Sequence, residues 1–169
     1  MRNNSSITVL MVEPHRHPYL KTVEHTLENL QALVGGYIEA TYPCKADLVA
    51  LVCDEDGLSK PEQEWNRYID DYHFIRGRFF ICGLGEEDFC DIPADLAQKY
   101  AEIFWCPESF NMADGQLVVI REDDGSAPRF SRNRCTSYRR VIANYTCRLR
   151  FRGNIHSPKG KTKQGGAPP

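Results

Sequence analysis

The chain has 169 residues, 41% of them apolar and 26% charged, an ordinary globular composition with room for one core and an additional segment. No run approaches the roughly 20 apolar residues that cross a bilayer. The start, MRNNSSITVLMVEP, lacks the long apolar core and cleavage site of a secretory signal, so a cytoplasmic protein with no membrane contact is expected. The net charge of −2 conceals an asymmetry: residues 1–128 hold all 23 Asp and Glu against 10 Lys and Arg, whereas residues 129–169 hold 11 Lys and Arg and no acid. That pattern points to a basic interaction tail on an acidic body.

In chain order, Ile7–Glu13 is an apolar, β-branched run that predicts a strand buried on both faces. The segment Pro14–Pro18 predicts a turn, and Tyr19–Glu24 a second short strand. Thr26 is suited to cap a helix with its apolar stripe at Leu27, Leu30, Leu33 and Val34, ended by Gly35 in a left-handed conformation. The runs Tyr37–Tyr42 and Leu48–Cys53 predict an antiparallel hairpin, followed by a turn at Asp54–Gly57. Ser59 and Glu62 match a capping box, so a second helix is expected to bury Trp65, Ile69 and Tyr72 and leave Glu62, Glu64 and Asp70 in water. His73–Gly83 predicts one strand with a bulge at Gly77, and Pro93 opens a third helix carrying Leu96, Tyr100, Ile103 and Phe104. Gly115 turns the chain into a last strand, Gln116–Arg121.

These elements predict an α+β fold: a single domain, 7–121, with a mixed, mostly antiparallel sheet of about five or six strands and about three helices. Residues 122–128 read as a linker, since Asp123, Gly125 and Pro128 favour a turn, and 129–169 as a basic extension with a low-complexity end. The seven cysteines are odd in number, without any CxxC pair, and mostly inside apolar runs, as expected for buried free thiols.

The order ITVLMVEP, TLENLQALVGGYIEATYP, LVALVCDEDG and GRFFICGLGEEDF resembles the bacterial family named domain of unknown function 3846, over about Ile7–Ile120. Its most specific stretches are LVGGYIE and FFICGLGEEDF. Around Lys60–Trp65 the chain departs from the family's Leu-Pro-Leu-Asn-Arg-like pattern, though Asn66 and Arg67 match it. The resemblance implies a small cytoplasmic accessory protein of a phage or integrated mobile element of Gram-positive gut bacteria. It carries over no catalytic, metal-binding or cofactor-binding residue.

Among candidate chemistries, Gly83-Leu84-Gly85 has the form of a phosphate loop, but Glu86, Glu87 and Asp88 come directly after it and would repel a phosphate. An exposed acidic turn is expected there, with a divalent-metal site as the alternative. Glu13, His15 and His17 share one face if extended and could meet a metal, but the prolines on either side favour a polar surface turn. Glu62, Asp70 and Asp71, with Glu86–Asp88, could form a carboxylate row that mimics a phosphate backbone. In the extension Arg148, Arg150 and Arg152 alternate with Cys147, Leu149 and Phe151, a strand pattern with one face of arginines. The sequence thus predicts a non-enzymatic binding module with no cofactor, whose partner is a host or element protein. A nucleic-acid binder using the arginine face and a metal-dependent enzyme at Gly83–Asp88 are the alternatives.

Overall fold

A computed structural model describes residues 6–70, 73–122, 124–126 and 139–142, the last four through their backbone pairing. Strand β1 (Ser6–Val12) runs through Pro14–Pro18 into β2 (Tyr19–Glu24), its antiparallel neighbour. Helix α1 (Leu27–Val34) starts at Thr26, whose hydroxyl accepts the Asn29 amide at 3.2 Å, and ends at Gly35 with φ 88°. Both caps lie where the sequence predicts them. The hairpin of β3 (Ile38–Thr41) and β4 (Val49–Asp54) comes next.

The chain then departs from expectation. Ser59 closes a 3-10 turn over Gly57–Ser59, its hydroxyl donating to the Asp56 carbonyl instead of capping a helix. In place of the expected helix stands β5 (Trp65–Asp70), paired antiparallel with β6 (His73–Arg76). Two register shifts in that hairpin bury Asn66, Arg67 and Tyr68 in succession, which regular alternation forbids. Long-range ties made by Asn66 and Arg67 override the local capping signal. Gly77, at φ 73°, divides the expected strand His73–Gly83 in two, and β7 (Phe79–Leu84) joins a different sheet.

Beyond β7 come β8 (Phe89–Cys90), α2 (Ala94–Ile103), β9 (Glu108–Ala113) and β10 (Gln116–Arg121). The described residues thus hold two α-helices, not three, and β9 joins β10 through Asp114 and Gly115, both left-handed as a two-residue hairpin requires. Arg139–Ile142, inside the basic extension, forms β11 on the far side of β10.

The main sheet has the order β2-β1-β7-β4-β3, with every pair antiparallel. The strand β8 takes β1's place beside β7 at Gly83 and Leu84. Alternation sends Val9, Met11, Val52 and Phe80 to a core under α1, and Leu10, Val12, Leu51 and Phe79 to a core under α2. Three layers result, which explains why the central strands read as unbroken apolar runs. The sheet β11-β10-β9 shares a third core with the β5–β6 hairpin, built on Tyr68, Phe74, Leu117 and Val119.

Candidate functional site

Polar groups collect at the end of the main sheet where β1 and β4 finish and β7 begins. Asp54, the last residue of β4, has a fully buried side chain. Its carboxylate accepts Lys60 Nζ at 2.5 Å, Gln63 Nε2 at 2.7 Å and the Asp56 amide at 3.1 Å. Glycines let backbone close around this knot: a Cβ at Gly36 would stand 2.4 Å from Asp54 Oδ1, and one at Gly77 2.3 Å from Gln63 Oε1. Burial pushes the Asp54 carboxyl up, but the bonds from Lys60, the Asp56 amide and Gln63 outweigh it and hold it below its ordinary value. Because the folded state favours the ionised form, this contribution is present above the unfolded carboxyl's pKa of about 4 and fades as pH falls through the lower folded value. Asp54→Asn is therefore expected to lose about 2 kcal/mol at pH 7 in urea unfolding. Its deficit against the wild type should shrink towards pH 3, and a deficit constant with pH would contradict the ionised assignment.

Beside this knot lies a second buried set. The Arg67 side chain donates from Nε and Nη2 to the Phe104 carbonyl at 3.3 and 3.0 Å, and from Nη2 to the Arg16 carbonyl at 2.9 Å. Its Nη1 donates to Asn66 Oδ1 at 2.9 Å and to the Asn66 carbonyl at 3.1 Å. Burial lowers its pKa to about 10, against the pull of Glu108, so it stays charged at neutral pH. Asn66 Nδ2 donates to the carbonyls of Val12 and Gly77 at 3.0 and 2.7 Å. Glu108 accepts the Tyr68 amide at 2.7 Å and lies 3.4 Å from Arg121 Nη2. These ties fix the β5–β6 hairpin against β1, the end of α2 and β9.

A groove opens over this framework. Gln63 and Glu64 are walls of two clefts, one of about 330 Å³ that reaches Trp65, Arg76 and Phe110, the other of about 400 Å³ that reaches Gly35, Gly77 and Arg78. Arg78 also walls a third, of about 410 Å³, beside Lys21 and Asn29. The three clefts are neighbours, the first two sharing Gln63 and Glu64 as walls and the last two Arg78. In the first cleft Trp65 stacks on Phe110 at 5.4 Å, and the Arg76 guanidinium sits 4.9 Å from the Trp65 ring. His15, held at φ 59°, is 3.7 Å from Glu64 at the rim. A non-glycine residue in that region carries a strain of about 1–2 kcal/mol, and such strain concentrates at functional sites.

The residues singled out by sequence land elsewhere. Glu86, Glu87 and Asp88 are exposed in the β7–β8 hairpin loop, which the Gly85 amide closes onto the Asp88 carbonyl at 2.9 Å. No helix succeeds Gly83 and Gly85; a Cβ at either would stand under 3 Å from the backbone of Asp91 or Asp88. The loop is at the opposite end of β7 from the first two clefts, about 20 Å away at 3.3 Å per residue, while Asp88 lies 3.5 Å from His25, the neighbour of Glu24 in the third. Glu62 and Asp70 are not helical, so they do not supply the helical carboxylates considered for a phosphate-mimicking row beside the plainer reading of a solvated acidic surface, and Asp71 lies outside the described residues.

Glu13, His15 and His17 diverge. Glu13 binds Arg16 and Tyr19, His15 faces Glu64, and His17 stacks on Trp105 at 4.5 Å while its Nε2 is 3.1 Å from Asp124. Among the described residues no three His, Cys, Asp or Glu are placed to hold a metal ion. Cys82 and Cys106 are buried, as expected, whereas Cys44, Cys53 and Cys90 are half-buried. Arg148, Arg150 and Arg152 lie outside the described residues. No helix among the described residues is long and apolar enough to cross a membrane.

The family model described as Domain of unknown function (DUF3846) matches residues 7–104, more than half of the chain. The chain belongs to this family. The DUF3846 match runs from β1 through α2, ends at Phe104 short of the Ile120 expected, and leaves β9, β10 and β11 outside. It contains the Asp54 knot, Asn66 and Arg67, while Glu108 and Phe110 come from beyond it. No curated protein and no solved structure matches the chain. Sequence reasoning misses Arg67 and Arg76 as site-builders; the available signal is that Asn66 and Arg67 keep the family pattern where their neighbours do not.

Proposed function

We propose that this DUF3846 protein is a non-enzymatic binding module, an accessory protein of a phage or mobile element that engages a host or element protein along the groove. The observation that supports this reading most is the row of neighbouring clefts, with walls held in place by buried ties from Asp54, Asn66 and Arg67. Fixed walls suit recognition because little side-chain freedom is lost on binding. Glu64 is 69% exposed and bonded only at the rim, so Glu64→Lys should leave the fold intact. Affinity capture from host lysate is expected to recover one protein with the wild type and with Glu87→Lys, and at least tenfold less with Glu64→Lys. Recovery that depends on Glu87 and not on Glu64 overturns the proposal.

A second reading, nucleic-acid binding through Arg148, Arg150 and Arg152, is favoured by the absence of any acidic residue after Asp124. Truncation after Ile142 keeps β11 and removes those arginines. On this reading, duplex binding falls steeply between about 50 and 200 mM salt and disappears on truncation.

A further inference from the structure

Arg76 is the cation of the groove whose geometry calls for a ligand. The hairpin register sets it directly across from Trp65, and its guanidinium covers that ring. Its Nε donates to the Gln63 carbonyl at 2.8 Å and its Nη2 to the Pro61 carbonyl at 3.2 Å, so the side edge of the fork is spent on backbone. The end edge, one N–H from each Nη, has no bonded partner among the described residues, and no carboxylate of those residues lies within 4 Å. A half-buried guanidinium held in one orientation, with two parallel donors unused beside a cleft of about 330 Å³, is a preformed receptor for a planar anion. Glu64 and Glu108 also wall the cleft, and these carboxylates disfavour a dianionic phosphate more than a singly charged carboxylate.

We infer that the end edge of Arg76, braced on Trp65, binds a carboxylate of the partner protein as a bidentate pair. This rests on the reading of the groove as the partner site and names the chemistry that the partner brings there. The carboxylate is supplied by an Asp or Glu side chain or by a chain terminus, and the test separates the two.

The chain has two tryptophans, so two indole N–H signals report in a nitrogen–proton NMR spectrum of the full protein: Trp65 under Arg76, and Trp105 elsewhere as a control. Titration with a capped Gly-Glu-Gly peptide is expected to move the Trp65 signal saturably and leave Trp105 in place. The capped Gly-Gln-Gly peptide should do neither, and Gly-Gly-Gly with a free carboxylate reports whether a terminus also serves. Arg76→Gln is expected to weaken the Glu peptide at least tenfold. Arg76→Lys, which keeps the charge without the fork, should weaken it severalfold and covers the case in which the first variant fails to fold. Equal shifts with the Glu and Gln peptides, tighter binding of inorganic phosphate, or unchanged binding in Arg76→Lys overturns the inference. In that event Glu64-dependent capture of a partner would still stand, whereas a carboxylate-specific shift without such capture would overturn the groove as a partner site alone.

Discussion

Replacing Arg67 with methionine is expected to destabilise the protein by about 3–5 kcal/mol, a large part of the roughly 5–15 kcal/mol typical of a domain. Methionine fills much of the same volume, so the loss is electrostatic and not a cavity. The carbonyls of Phe104 and Arg16 and the Asn66 side chain would lose their donors inside the protein, each at about 1–3 kcal/mol. Glu108, buried beside them, would lose a neighbouring positive charge. Arg67→Lys should fall between, since one ammonium cannot serve carbonyls at positions 16 and 104 together. Urea unfolding monitored by tryptophan fluorescence reads both variants. A change under about 1 kcal/mol for Arg67→Met would show that these bonds do not hold the hairpin in place.

Gly83→Ala is the second large effect. The added Cβ would stand 2.3 Å from the Asp91 carbonyl oxygen and 2.8 Å from Cys90 Sγ. A backbone oxygen cannot swing aside, so β8 must leave β7 and give up the Gly83–Cys90 and Leu84–Phe89 pairs. The bond from the Ile92 amide to the Thr8 carbonyl at 2.9 Å would be disturbed as well. Overpacking of this kind costs about 1–3 kcal/mol, or several degrees in Tm, and hydrogen exchange should speed up at β8 first. Gly115→Ala is the contrast: nothing lies within 4 Å of its Cβ, so only the strain of φ 74° remains, about 1 kcal/mol. Equal losses for the two variants would contradict the close-approach account of Gly83.

The parts of the fold legible in the sequence are those that local chemistry decides. Thr26 and Gly35 bracket α1 because each satisfies or permits its own turn, and the central strands announce themselves because both faces are buried. The illegible parts depend on distant partners. Ser59 and Glu62 form a valid local helix signal, yet the bonds that hold Arg67 in a strand come from residues 16 and 104. A helix at β5 hides the pairing with β6, and with it the stacking of Arg76 on Trp65 that builds the groove. The dipeptide Asp114-Gly115 is a hairpin signal in its own right, and it locates β9 once β10 is placed. The acidic turn at Glu86–Asp88 is exposed as expected, because a short turn closed by the Gly85 amide on the Asp88 carbonyl is decided by its own residues.

The groove as the partner site is tested most directly by photo-crosslinking in host cells, with Glu62 and Glu87 replaced in turn by benzoylphenylalanine. Position 62 belongs to the groove and position 87 to the hairpin loop at the other end of β7. A discrete adduct to one protein from position 62, absent from position 87, is the predicted result. Adducts from position 87 alone would contradict it.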